Sequence, residues 1–234
     1  MLRVAVTRPL EQLADLSTRA ASCGIEILPF PLTQVRAIPF SWPDGLAMAQ
    51  VDWLFFTSSQ GVTAFFSGLR TLNLKLTSRT RTGAVGDKTA TVLSKLSHTD
   101  PFIPSEAYGH NLFEEFAARS DCTGQTVVYA RAETVNYDPA ELLSARGVKY
   151  YPIVVYKTTE IEIDPAKVST LCEKDYILFT APSTVDAYAS QFGRPAAMPI
   201  ALGRTTAAQM AQHGWKNIAM LPSPNLDHIL EFSR

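Results

Sequence analysis

The chain says things twice. Val4–Pro9 (VAVTRP) returns 123 residues later as Val127–Ala132 (VVYARA), and at that spacing Arg8 falls on Arg131, Gly24 on Gly147 and Pro29 on Pro152. Phe56–Phe65 (FTSSQGVTAF) meets Phe179–Tyr188 (FTAPSTVDAY) at the same spacing. Gly83–Ala90 (GAVGDKTA) meets Ile200–Ala207 (IALGRTTA) at 117, so the second copy has lost six residues between the last two blocks. Three matched blocks in one order imply a duplication, and a duplicated chain must fold into two related halves.

Each half reads as alternating strands and helices. LRVAVT is a short β-branched run, hence a strand, and Leu13, Leu16 and Ala20 then recur at helical spacing until Gly24. IEILPF and VDWLFFT are strands. Val62, Phe65 and Phe66 give one helical face, TGAVG is a strand, and Val92, Leu93 and Leu96 are expected to point inward on the helix after it. The second half repeats this with TVVYA, a helix ending at Gly147, VKYYPIVVY, YILFT, a helix from about Ser183, PIALG and a helix ending at Gly214. Pro224 and Asn225 start a last short amphipathic helix through Ile229 and Leu230. The fold class is therefore α/β: two similar domains with parallel sheets covered by helices.

Composition narrows the function. Of 234 residues 46% are hydrophobic and 18% charged, as in an ordinary globular protein, and a net charge of −1 gives no bulk attraction for nucleic acid. Cys23, Cys122 and Cys172 are scattered and odd in number, which predicts reduced, buried thiols in a cytoplasmic protein rather than a disulfide framework. His98, His110, His213 and His228 lack metal-ligand spacing. MLRVAVTRPL does not read as a secretory signal, no apolar run approaches a membrane span, and no unexplained apolar stripe marks a partner surface, so a monomer off the membrane is expected.

In open α/β sheets ligands bind beyond the carboxyl ends of the strands. The repeated polar residues fall there: Arg8, Thr57, Ser58, Ser59, Gly86, Lys88, Arg131, Thr180, Ser183, Gly203 and Thr205. Each stands beside a helix start, where exposed N–H groups and the helix dipole favour an anion by about 0.3–1 kcal/mol. Ser and Thr in such places also simply cap helices. Two arginines at equivalent positions suggest a shared demand, and Lys88 and Arg204 oppose the dipole unless an anion sits between. Tyr156 ends its strand and has Thr33 as counterpart, so it is either a specialised proton donor or an aromatic packing a strand end. ALGRTTAAQMA (Ala201–Ala211) has the grammar of an anion cradle but lacks the phosphate-loop lysine signature. No nucleophile elbow, dinucleotide fingerprint or kinase set is present.

Taken together, VTRP, FTSSQGV, GAVGDKTA, YPIVVYKT, LFTAPSTVDAY and ALGRTTAAQMAQHG resemble the uroporphyrinogen III synthases, in order and over almost the whole chain. The resemblance implies a cofactor-free lyase of tetrapyrrole and haem synthesis that closes hydroxymethylbilane with loss of water and inversion of ring D. It implies two α/β domains joined by a two-stranded β-ladder, with the active site between them. Transferred here, residues 1–33 plus 160–234 form one domain and 38–153 the other, with 34–37 and 154–159 as connecting strands. The family's functional tyrosine falls on Tyr156 and its cleft threonine on Thr205, one residue of register away from Thr206. The serine of its first FTS falls on Ser58. Its second copy holds Ala181 here, so only the backbone N–H could contribute, and Pro182 is expected to open the helix at its first position. A two-domain protein that closes on an anionic small molecule without chemistry is the rival reading, and a phosphotransferase is disfavoured by the missing phosphate loop.

Overall fold

The computed structural model describes residues 1–232. In chain order the elements are β1 (Leu2–Val6), α1 (Ala14–Ser22), β2 (Ile25–Pro29), β3 (Thr33–Ala37), β4 (Trp53–Phe56), α2 (Ser59–Thr71), β5 (Arg81–Ala84), α3 (Asp87–Ser97) and α4 (Gly109–Ala117). There follow β6 (Thr126–Ala132), α5 (Ala140–Ala145), β7 (Lys149–Glu160), α6 (Pro165–Ser169), β8 (Tyr176–Phe179), α7 (Pro182–Phe192), β9 (Met198–Ala201), α8 (Arg204–Gln212) and β10 (Ala219–Met220). A 3-10 helix, Leu226–Glu231, comes last.

The chain divides into two compact units, Met1–Gln34 with everything from Thr159 onward, and Val35–Thr158. It crosses from one to the other within β3 and within β7, which are hydrogen-bonded neighbours. Ile161 N donates to Leu32 O and Ile38 N to Val155 O, so this pair runs antiparallel. The other strand pairs of both sheets are parallel.

The duplication is visible strand by strand. The first unit's sheet runs β10-β9-β8-β1-β2 and the second's, read from its other edge, β5-β4-β6-β7-β3. Val4 pairs with Tyr176, and their counterparts Val127 and Trp53 pair with each other. Arg3–Glu26 matches Thr126–Lys149, and Tyr176–Met198 matches Trp53–Arg81. Even the edge agrees: Ala219 beside Ile200 corresponds to the bridge of Phe102 to Gly83, at 117 residues. Within each unit one β-α-β segment therefore comes from the first copy and one from the second.

Alternation along the strands gives each sheet two buried faces. In the first unit Ala5, Ile177 and Phe179 pack under α7 and α8 with Tyr188 and Trp215, while Val4, Val6 and Leu178 pack against Leu13, Leu16 and Ala20 of the α1 segment. In the second, Leu54, Phe56 and Val128 meet Val62, Phe65 and Leu93, while Trp53, Phe55 and Tyr129 meet Phe113 and Phe116 of α4. Continuous apolar strands such as WLFF are what a parallel sheet covered on both sides requires.

Two local expectations need correcting. Leu96 is 38% exposed, because the inward stripe of α3 runs through Thr89, Ala90 and Leu93 and leaves position 96 at its border. Cys23 and Cys172 are exposed and only Cys122 is buried. Cys23 ends α1 beside the left-handed Gly24, and Cys172 lies on the connection into β8, so neither position faces a core. The last helix is a 3-10 helix that begins at Leu226, and Asn225 starts it as expected, its Oδ1 accepting from Asp227 N at 3.0 Å. Thr206, not Thr205, is buried, so Thr205 is the threonine that α8 presents to solvent.

Candidate active site

The chemistry-bearing residues of the second unit gather where β4, β5 and β6 end. Thr57, Val85 and Ala132, the residues at those ends, line a cavity of about 750 Å³ together with Tyr108, His110, Glu114, Tyr129, Tyr137 and Tyr156. A second cavity of about 470 Å³ runs between β3 and α2, lined by Val35, Ser59, Gln60, Thr63 and again Tyr156. Tyr156 is thus common to both.

Its position follows from a register shift. β7 pairs with β6 residue for residue up to Arg131–Val154, and the next pair is Ala132–Tyr156. Such a bulge breaks the strict alternation of side chains and re-aims the following residue. The Tyr156 ring comes to rest on Gly61 of α2, where an added Cβ would lie 3.2 Å from its Cε1. Its main-chain oxygen accepts from Glu133 N at 2.9 Å. Its hydroxyl has no hydrogen-bond partner among the described residues.

Around it the phenols are kept protonated. Burial pushes the Tyr129 hydroxyl above its ordinary range, and that hydroxyl lies 2.9 Å from Thr57 Oγ1. Burial and then Glu114 raise Tyr137. Behind the wall, burial and Asp138 hold Tyr150 far above the ordinary range, with its hydroxyl donating to Asp138 at 3.2 Å. Arg131 stands off the cavity. Its Nη1 is 4.0 Å from Asp138, and its Nε is buried with no partner.

Of the other expected residues in this unit, Ser58 is the N-cap of α2: its Oγ accepts from Gln60 N at 3.1 Å and Gly61 N at 3.4 Å. Ser58→Ala should lower stability by about 1 kcal/mol, read as a fall in melting temperature of about 2–4 °C. Unchanged melting would show that the cap is redundant. Ser59 borders the smaller cavity. Gly86 is the uncapped start of α3, in extended backbone, and Lys88 is exposed beside it.

In the first unit Arg8 is half-buried, and burial holds its guanidinium below the ordinary arginine range. It has no side-chain partner among the described residues. Thr180 belongs to a hydroxyl cluster in which its N–H donates to Thr7 Oγ1 at 3.0 Å, and Thr7 in turn donates to Thr184 at 3.2 Å. Ala181 starts α7 without a side-chain cap, Pro182 occupies its first turn, and Ser183 is exposed. Gly203 starts α8 with Thr205 exposed behind it. The structure thus gathers Thr57 and Tyr156 on one wall and Ser59 and Tyr156 on another. Ser58 and Thr180 are tied up in bonds to their own surroundings.

Sequence reasoning missed α4 and the aromatic wall it carries. The repeat held the signal: at 117 residues Tyr108 and Gly109 correspond to Asn225 and Leu226, so the last helix implies a first-copy twin. The two starts share extended geometry, φ −117° and ψ 147° at Tyr108 against −119° and 125° at Asn225. Tyr108, however, makes no capping bond, which forfeits about 0.5–2 kcal/mol. Among the described residues no group of His, Cys, Asp and Glu could hold a metal ion, and no helix is long and apolar enough to cross a membrane.

The family profile described as "Uroporphyrinogen-III synthase HemD" matches residues 14–231. The chain belongs to this family. It is 27% identical over 194 residues to the "Porphyrin biosynthesis protein HemD" of Ruminiclostridium josui, a match that covers 80% of this chain and 38% of that protein's length. The chain therefore spans well under half the length of this curated relative. Two solved structures share the fold. The uroporphyrinogen-III synthetase of Helicobacter pylori gives a TM-score of 0.67 at 21% identity, covering 100% of this chain and 98% of that one. A mutant uroporphyrinogen III synthase of Thermus thermophilus gives 0.62 at 19%, covering 99% and 96%. In family terms, the α/β fold with its parallel sheets is that of the synthases.

Proposed function

We propose that this protein converts hydroxymethylbilane to uroporphyrinogen III, as a lyase of tetrapyrrole synthesis working without a cofactor. Family membership supports the reading, and the observation that carries it is Tyr156: a phenol with no partner among the described residues, on the wall of a cavity at the strand ends. Tyr156 donates to the departing ring-A hydroxyl as its C–O bond breaks, and water leaves. The substituted carbon of ring D attacks the resulting azafulvenium cation, and the spiro intermediate opens and recloses with ring D inverted. The proton lost as the last pyrrole regains aromaticity restores the phenol. Most of the catalytic effect lies in holding reacting atoms together, since the free bilane closes spontaneously to the uninverted isomer.

The carboxylate arms are held at helix starts by Thr57, Ser58, Ser59, Gly86 and Lys88 of the second unit and Thr180, Ala181, Ser183, Gly203 and Thr205 of the first, and by the strand-end arginines Arg131 and Arg8. Each charge-assisted hydrogen bond contributes about 1.5–3 kcal/mol. Residues 1–33 with 160–234 and residues 38–153 act as the two domains, with 34–37 and 154–159 connecting them. The protein works as a cytoplasmic monomer, with neither nucleic acid nor membrane as a partner. Sedimentation showing a stable dimer would refute the monomer.

The assay supplies freshly made hydroxymethylbilane, oxidises the products and separates the isomers. Uroporphyrin III as the main product is expected. Uroporphyrin I alone would end the reading, and tight binding without turnover would favour a binding protein instead.

A further inference from the structure

We propose that Tyr108 and His110 form a stacking plate at the mouth of the second unit's cavity, which holds one pyrrole ring of the bilane and so fixes the direction in which the linear substrate binds. The inference rests on the synthase reading above, and the duplication supplies its own control. At 117 residues Tyr108 corresponds to Asn225 and His110 to Asp227. At 123, Tyr129 corresponds to Val6 and Tyr156 to Thr33. The scaffold is common to both copies, while the aromatic groups belong to one.

In the first unit the equivalent side chains serve the fold. Asn225 caps the last helix, and Asp227 pairs with Arg19 at 2.7 Å. In the second unit Tyr108 has given up the cap and is 60% exposed. Its ring lies on the His110 imidazole with centroids 5.6 Å apart and planes 20° apart, and His110 meets Tyr137 edge-on at 6.3 Å. A large, mostly exposed ring stacked on a second ring is a surface suited to a third flat group. An imidazole N–H beside it can donate to a carboxylate arm of the same ring.

The two ends of a bilane differ chemically, one bearing the hydroxymethyl group and the other a free pyrrole position. The exposed main-chain N–H groups of helix starts occur in both copies, and by themselves they grip carboxylates alike without telling those ends apart. A plate present in one copy can, and it lines the same cavity as Tyr156.

Tyr108→Asn, which imports the residue of the other copy, tests this. Restoring the cap should raise the melting temperature by about 2–4 °C. Losing the plate should raise KM about tenfold. kcat should stay within about threefold of the wild type, as for a lost binding contact. The uninverted isomer should form a larger share of the product. Tyr108→Phe keeps the ring and should keep KM within about twofold. A residue serving only the fold would move melting and leave KM alone. Wild-type KM and isomer ratio in Tyr108→Asn would overturn the inference while leaving the synthase reading intact. A wild-type protein that yields only the uninverted isomer would overturn both.

Discussion

Tyr156→Phe is expected to cut kcat about a hundredfold, the lower end of what a positioned proton donor contributes. KM should hardly change, because the ring that packs on Gly61 is retained and only the hydroxyl is removed. Melting should also stay put, since that hydroxyl bonds to no described residue. The measurement is single-turnover formation of uroporphyrinogen III, corrected for spontaneous closure. The wild-type rate in this variant would remove Tyr156 as the acid and leave it as a wall of the two cavities. An equal loss of kcat with a loss of melting temperature would point to packing instead.

The largest effect on stability is expected at Gly83. A Cβ there would lie 2.2 Å and 2.3 Å from Cε1 and Cδ1 of Phe55. Phe55 cannot step aside: it is stacked on Trp53 at 5.4 Å and meets Phe113 and Phe116 edge-on at 5.4 and 5.1 Å. Gly83→Ala should therefore cost about 3 kcal/mol, a fall of about 6–12 °C in melting temperature. Gly68 makes the comparison sharp. Its Cβ would also fall 2.2 Å from an aromatic carbon, Cε1 of Phe40, but that ring is only half-buried on the connection after β3, held by a stack on Phe65 at 5.6 Å, and so yields more easily than Phe55. Alanine inside α2 also recovers about 0.5–1 kcal/mol of helix propensity. Gly68→Ala should change stability by less than about 1 kcal/mol. Equal melting of the two variants would show that the core around Phe55 is more yielding than its contacts suggest.

Much of the scaffold was legible because parallel sheets buried on both faces write themselves as apolar runs. WLFF, TVVYA, YILFT and PIALG needed no tertiary information, and the blocks at 123 and 117 residues carried the strand equivalences. What escaped was set by tertiary placement. GHNLFEEFA forms α4 with Leu112, Phe113 and Phe116 buried, yet Tyr108 before it and His110 within it are exposed, so polarity along that stretch marks no boundary. Leu96 has the right residue type and the wrong angle around its helix. The candidate site was legible as a set of strand ends. The turn that brings Tyr156 into the cavity of Tyr129 and Tyr137 depends on the bulge after Arg131, which no short-range pattern announces.

The way each sheet draws on both copies also has a consequence during synthesis. Residues 35–158 form an unbroken stretch, so that unit has all its strands once β7 has left the ribosome. The other cannot be completed then. β1 can pair with β2 at once, but its other neighbour, β8, begins at Tyr176. The first hairpin-sized piece of chain to emerge must therefore wait, with one side of β1 unsatisfied, while an entire neighbouring unit folds behind it. Shortening the chain from its end would strand that waiting edge and invite aggregation, while Val35–Thr158 would lose none of its own strands.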